Sequence, residues 1–196
     1  MLLGVIGPHA TGKSTYHRHL AGLYQSGAIL PRFALKIILA DNGFILHKDG
    51  EDKVKWTKGL RAEKEPYIEN MVADDTTVYI LESARFFGGL MPYVKELFDT
   101  YNGGARFVLA SVTYERMIEN MRGRCDKTGK EFKEEFWADR AQYENRDRYL
   151  NQLMKQGGNI PWIEFDVPTY ATWYETIHPE ILRILQLPYE EWYICS

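Results

Sequence analysis

Residues 7–14, Gly7-Pro8-His9-Ala10-Thr11-Gly12-Lys13-Ser14, follow the pattern G-x-x-x-x-G-K-[ST] without a gap. The spacing has a chemical reason. Successive backbone N–H groups of such a turn converge into a nest for anions, and a helix starting directly after it adds the positive end of its dipole. Gly12 lets the backbone come close to a phosphate, and Lys13 brings a point charge to the β- and γ-phosphates. The Ser14 hydroxyl is placed to ligate a Mg²⁺ ion bridging those phosphates, and Thr15 offers a second hydroxyl. His9 occupies a variable position of the loop and is read as facing solvent or the base. The pattern calls for a nucleoside triphosphate, with ATP and Mg²⁺ as expected ligands. It leaves the reaction open, because GTPases, ATPases and kinases share it.

Such a loop works between a strand and a helix, and both are legible. Residues 2–6 (Leu-Leu-Gly-Val-Ile) are an apolar run of the kind buried on both faces of a parallel sheet. Residues 14–25 carry Leu20 and Leu23 on one face and predict a helix that stops near Gly27. Further apolar runs at 33–40, 76–81, 106–111 and 160–166 alternate with helical patterns at 60–73, 91–101, from 114 onward, 135–155 and 170–185; residues 48–58 are polar. Strands alternating with helices predict a single parallel sheet covered on both faces. Residues 122–135 are polar, charged and interrupted by Gly123 and Gly129, and read as a mobile surface segment. A lid is expected over about 123–135.

Phosphoryl transfer needs cations on the equatorial oxygens and a carboxylate that orients Mg²⁺ or takes the acceptor's proton. Glu82, at the end of the strand over 76–81, is the candidate carboxylate. It shares the metal with Ser14, and Asp41 is the next choice. Arg85, Arg122 and Arg124 are the candidate cations, and Lys58 and Arg61 stand at a helix start after the polar stretch. Phe136, Trp137, Tyr143 and Tyr149 are read as the packed face of a long helix. His17 and His19 lack spacing to a third ligand and are read as surface residues. A signalling GTPase is not indicated: no Asn-Lys-x-Asp string occurs, and Asp139-Arg140-Ala141-Gln142 lacks the glycine of an Asp-x-x-Gly switch.

Three passages resemble the nucleoside and nucleotide kinase group that includes thymidylate and adenylate kinases. The first is the loop. The second, Tyr79-Ile80-Leu81-Glu82-Ser83-Ala84-Arg85, is similar to the strand-end acid and arginine signature beside the transferred phosphate, although here two residues separate the acid from Arg85. The third, residues 115–124, is similar to the helix-to-lid passage whose arginines clamp phosphates; Asn120 stands where an arginine is expected four before Arg124. The resemblance spans about residues 1–166. It implies an α/β P-loop NTPase three-layer fold, a five-stranded parallel sheet in the order 2-3-1-4-5 and a lid. It further implies transfer of the γ-phosphate of ATP to a nucleoside- or nucleotide-like acceptor. Residues 7–15 would hold ATP, while Lys13, Glu82, Arg85, Arg122 and Arg124 would be catalytic, and Lys58 and Arg61, which correspond in order to the family's acceptor-binding insert, would be candidates for acceptor binding. It extends to a thymidylate-kinase-like branch in bacteriophages that phosphorylates 5-hydroxymethyluracil within DNA, so modified DNA is an alternative acceptor. A regulatory protein that binds nucleotide with little turnover is the alternative of another class.

Composition bounds these readings. With 196 residues, one domain is expected on the usual span of roughly 100 to 200 residues each. A 14% aromatic share argues against disorder. The net charge of -3 gives no electrostatic case for a dedicated nucleic-acid binder. Cys125 and Cys195 are the only cysteines, too few for a disulfide framework or a cysteine zinc site, and a reducing cytoplasmic setting is expected. No apolar run of about 18 residues occurs, so no membrane span is expected. The oligomeric state stays open.

Overall fold

A computed structural model describes residues 1–39, 44–47, 50–53 and 61–192. Asp41 and Lys58 lie outside them, as does the side chain of Arg61. The chain runs β1 (Leu2–Ile6), α1 (Lys13–Gln25), β2 (Ala34–Leu39), β3 (Phe44–His47), β4 (Gly50–Lys53), α2 (Arg61–Ala73), β5 (Thr77–Leu81), α3 (Ala84–Phe87) and α4 (Met91–Thr100). It continues with β6 (Ala105–Ser111), α5 (Tyr114–Thr128), α6 (Glu134–Trp137), α7 (Arg140–Gly157) and β7 (Trp162–Asp166). A π-helical turn over Trp173–Ile177, α8 (His178–Leu185) and α9 (Tyr189–Trp192) follow. Among the described residues no helix is long and apolar enough to cross a membrane.

The sheet order is β4-β3-β2-β5-β1-β6-β7. Its five strands β2, β5, β1, β6 and β7 are parallel, which reproduces the expected order 2-3-1-4-5. The antiparallel hairpin of β3 and β4 extends the β2 edge. The sequence reading missed this hairpin: β4 is Gly-Glu-Asp-Lys, with no apolar residue to signal a strand, and the short apolar run Phe44-Ile45-Leu46 of β3 was passed over.

The strands alternate their side chains between two cores, as a pleat requires. Leu3 and Val5 of β1 join one core with Tyr16 and Leu20 of α1, Met117 of α5, Trp173 and Ile181. Leu2 and Ile6 join the other with Ile68 of α2, Phe87 of α3, Val94 of α4 and Leu150 of α7. Two helical layers on one sheet make the three-layer fold, and each fully buried aliphatic side chain contributes roughly 1.5 to 3 kcal/mol.

Helix α5 differs from its reading. The segment from 122 onward, expected as an open loop, is helical to Thr128 and ends at Gly129 in the left-handed conformation (φ 64°). Gly123 does not stop it, because Met117, Ile118, Met121 and Cys125 keep a buried stripe at helical spacing across the glycine. Asp139, which failed as a GTPase switch, is the N-cap of α7, accepting from the N–H groups of Ala141 (2.9 Å) and Gln142 (3.2 Å). Near the C-terminal end, Pro179 has no N–H for a regular helical bond, and the wider π turn precedes it.

His17 is a correction. It is fully buried on α1 rather than on the surface, because α1 turns Lys13, Tyr16, His17, Leu20 and Ala21 inward. Its Nδ1–H donates to the Lys13 carbonyl at 2.8 Å, and its Nε2 is buried with no partner among the described residues. Burial holds the ring's pKa at about 4, the Lys13 carbonyl opposing and the Lys13 and Arg18 charges adding to the fall.

Two outcomes follow from this packing. An exposed histidine takes up its proton near 6.5, so between pH 6.5 and 4 the unfolded chain binds the proton that folded His17 refuses. This group's contribution is therefore intact above pH 6.5, declines as pH falls through the window, and levels off below about 4. The total loss is on the order of 3 kcal/mol. Urea unfolding at pH 7 and pH 5 should show it, and His17→Leu should remove most of the slope; equal slopes would place the titration elsewhere. Separately, a Cβ on Gly4 would lie 2.3 Å from the Phe107 ring, which stacks on Trp162 at 4.5 Å. Gly4→Ala should cost about 2 kcal/mol in urea unfolding, with partial recovery on adding Phe107→Leu. An unchanged midpoint would contradict that packing.

Candidate active site

The loop from Gly7 to Gly12 leaves β1 and is shaped by its neighbours. A Cβ on Gly7 would lie 2.1 Å from the Ala110 carbonyl oxygen of β6, so only glycine fits there. Ala10 (φ 58°) and Gly12 (φ 94°) are both left-handed, the backbone pattern that turns successive N–H groups to one side. For Ala10 this costs roughly 1 to 2 kcal/mol, a strain typical of ligand clamps. Two side chains hold the loop from outside. Asn120 of α5 donates from Nδ2 to the Ala10 carbonyl at 2.9 Å, and Trp173 donates from Nε1 to the Thr11 carbonyl.

Lys13, buried at the first position of α1, donates from Nζ to the Pro8 carbonyl (2.7 Å) and to Thr11 Oγ1 (3.1 Å). Thr11 Oγ1 in turn donates to the same carbonyl at 3.2 Å. The ammonium thus sits folded over the mouth of its own loop. Ser14 Oγ donates to Glu82 Oε2 at 3.0 Å across 68 residues of sequence, joining the two groups expected at the metal. Glu82 reaches this point because β5 pairs with β1 in parallel, and its own N–H donates to the Ile38 carbonyl of β2 at 2.9 Å. The carboxylate is buried, at 6% exposure. A hydroxyl and a carboxylate are hard oxygen donors, the set that Mg²⁺ takes together with phosphate oxygens. Thr15 is exposed and bonds the Tyr170 hydroxyl on the outer side of α1.

Beside the loop opens a cleft of about 840 Å³. Gly7, His9, Ala10 and Lys13 form one wall, Glu82 and Arg85 a second, Met117, Met121 and Arg124 of α5 a third, and Gln142, Tyr143, Arg146 and Tyr149 of α7 a fourth. Ser83 starts α3 by accepting from the Phe86 N–H at 3.2 Å, which puts Arg85 in the cleft despite its distance from the acid in sequence. Tyr143 and Tyr149 pack as expected, their hydroxyls donating to the carbonyls of Val112 (2.6 Å) and Ala84 (3.0 Å). The side chains of Phe136 and Trp137 lie outside the described residues.

The arginines divide. Arg122 does not line the cleft; it lies over the Phe132 ring at 5.1 Å and 3.6 Å from Glu134. Arg85, Arg124 and Arg146 all line it, and none has a carboxylate partner among the described residues. Arg146 is half-buried, and burial alone lowers its pKa. The sequence reading missed this residue. Its signal was available: Asp139, Gln142, Tyr143, Arg146 and Tyr149 repeat at helical spacing, so one cation stood on the apolar face of α7. Asn120 and Trp173 carried no such signal, since only the fold brings them to the loop.

No protein-family model and no curated protein matches this sequence. Solved structures do match in shape. The crystal structure of polyphosphate kinase 2 from Arthrobacter aurescens TC1 is similar over 100% of this chain and 71% of its own, at 15% identity and a TM-score of 0.52. That of an uncharacterized protein from Eubacterium ventriosum is similar over 92% of this chain and 97% of its own, at 10% identity and a TM-score of 0.49. At such identities only the fold is shared: the chain has a three-layer α/β fold similar to that of the polyphosphate kinase 2 structure.

Proposed function

We propose that the protein is a Mg²⁺-dependent phosphotransferase that moves the γ-phosphate of ATP to a nucleoside- or nucleotide-like acceptor. One observation carries this reading: the Ser14 and Glu82 pair stands at a cleft lined by three arginines without carboxylate partners among the described residues. Elsewhere the described cations Lys95, Arg116, Arg140 and Arg183 each hold a carboxylate within 2.8 Å. Arg146 is half-buried while Arg85 and Arg124 are exposed; a half-buried cation without a carboxylate is stabilised by an incoming anion, and arginine's planar fork suits phosphate.

In this reading the loop N–H groups and Lys13 bind the donor phosphates, the lysine exchanging its contacts with Pro8 and Thr11 for phosphate oxygens. Ser14 and Glu82 would hold Mg²⁺, which supplies charge neutralisation on the β- and γ-phosphates. Arg85, Arg124 and Arg146 orient the acceptor and offset charge developing on the transferred group. An acceptor oxygen bonds to the γ-phosphorus while the bond to the bridging oxygen breaks, and ADP leaves. Glu82 either orients the metal or accepts the proton of a hydroxyl acceptor. The segment around Gly129, following Arg124, is the candidate lid. Arg122, on the far side of α5, takes a supporting place at that segment through Phe132 and Glu134.

Similarity in shape to a polyphosphate kinase adds polyphosphate to the acceptor and donor classes worth testing, since an arginine-lined cleft fits a phosphate chain too. Labelled ATP should be offered with nucleosides, nucleotides, polyphosphate, and DNA with and without 5-hydroxymethyluracil. Label is expected on a phosphate-bearing or nucleoside-like acceptor. Lys13→Ala should abolish transfer and weaken ATP binding by on the order of 1.5 to 3 kcal/mol. Arg146→Gln should raise the acceptor KM about tenfold, equivalent to about 1.4 kcal/mol, with ATP affinity unchanged. Tight Mg²⁺-ATP binding with no acceptor-stimulated ADP release in any arm would instead favour a nucleotide-binding regulator.

A further inference from the structure

We propose that Asn120 and Trp173 are positioning residues that aim the anion nest by holding two consecutive loop carbonyls outward. The inference rests on the phosphate-loop reading, but on neither the acceptor nor the reaction. In a trans peptide unit the C=O and the following N–H point in opposite directions. Fixing the Ala10 oxygen therefore fixes the Thr11 N–H, and fixing the Thr11 oxygen fixes the Gly12 N–H. Asn120 Nδ2 holds the first at 2.9 Å, and the Trp173 indole N–H holds the second. With both oxygens engaged on the outer side, both amides face the inner side, where the loop closes on its ligand.

The two donors come from elements distant in sequence, 110 and 162 residues away, and neither lines the cleft. They act through the loop rather than on a ligand. Trp173 is suited to rigid anchoring. It is fully buried and stacks on Tyr16 at 5.0 Å with 23° between the planes, and the Tyr16 hydroxyl shares a 2.8 Å hydrogen bond with His178 Nδ1. An indole has one donor and no acceptor, so this contact is its whole polar capacity. The fit also constrains the loop, since a Cβ on Gly12 would lie 2.9 Å from the Trp173 nitrogen. Asn120 secures the residue with the greatest reason to relax, the left-handed Ala10. It also sits one helical turn before Arg124, so a single helix carries both the loop anchor and a cleft cation.

Binding of tripolyphosphate with Mg²⁺ tests this without any acceptor or turnover. Trp173→Phe keeps the stacked ring and deletes the N–H; Asn120→Leu keeps the volume and deletes the donor. Measured calorimetrically at a temperature where every variant is folded, each should bind about tenfold more weakly than the wild type. Amide NMR provides the second readout. Tripolyphosphate should shift the Thr11 and Gly12 N–H signals in the wild type, with the Thr11 shift lost in Asn120→Leu and the Gly12 shift lost in Trp173→Phe. A merely structural role would lower melting temperature while leaving affinity and amide shifts of the folded protein as they were, and that result overturns the proposal. If one variant fails to fold, the other decides alone. Failure of the wild type to bind tripolyphosphate would remove the phosphate-loop reading itself, and this inference with it.

Discussion

The hydrogen bond from Ser14 to Glu82 is the contact on which the site depends. It exists because β1 and β5 are parallel neighbours, so that Glu82, directly after β5, and Ser14, in the first turn of the helix that follows the loop after β1, come together at one edge of the sheet. Parallel pairing requires a crossover connection, and the chain returns to β5 beside β1 only after α1, the strands β2, β3 and β4 at the sheet's edge, and α2. The two cores hold that arrangement from both sides. A shift of β5 by one residue would exchange its faces and carry Glu82 away from the loop.

Charge explains why the cleft beside this contact is not merely a gap in packing. Several surface cations of the protein are neutralised locally, as Arg116 is by Glu119 and Arg183 by Glu180. The cleft instead gathers Arg85, Arg124 and Arg146 from three different elements around Lys13, and the acids among its lining residues are Glu82 and the capping Asp139. A folded chain tolerates such a concentration of like charge at some cost. Anions restore the balance, and two phosphate-bearing ligands would do so in one place.

How much of this was legible in the sequence follows from how local each feature is. The loop was readable because its pattern consists of eight consecutive residues and the strand and helix that flank them. Glu82 was readable because an acid ending an apolar strand is a local pattern whose meaning depends only on strand order. The arginines were half readable. Arg122 and Arg124 belong together only if their segment is an open loop; on a helix two such residues are turned about 200° apart, so one faces the cleft and the other the Phe132 side. Arg146 was overlooked because the tyrosines of α7 dominate its apolar face. His17 was read as a surface residue because it lacks spacing to a third ligand, whereas α1 turns Lys13, Tyr16, His17 and Leu20 inward together. The anchors Asn120 and Trp173 are tertiary facts with no local signature.

The central claim is that Ser14 and Glu82 form one site for metal and phosphate. Its most direct test is ATP affinity measured with Mg²⁺ and with chelator, in the wild type and in Glu82→Gln, which keeps the side chain's shape and removes its charge. The wild type should bind ATP at least about tenfold more tightly with Mg²⁺, a difference of about 1.4 kcal/mol, and the substitution should erase most of that gap while leaving the metal-free affinity equal or slightly improved. An undiminished Mg²⁺ enhancement in Glu82→Gln would show that the carboxylate is structural and would contradict the account.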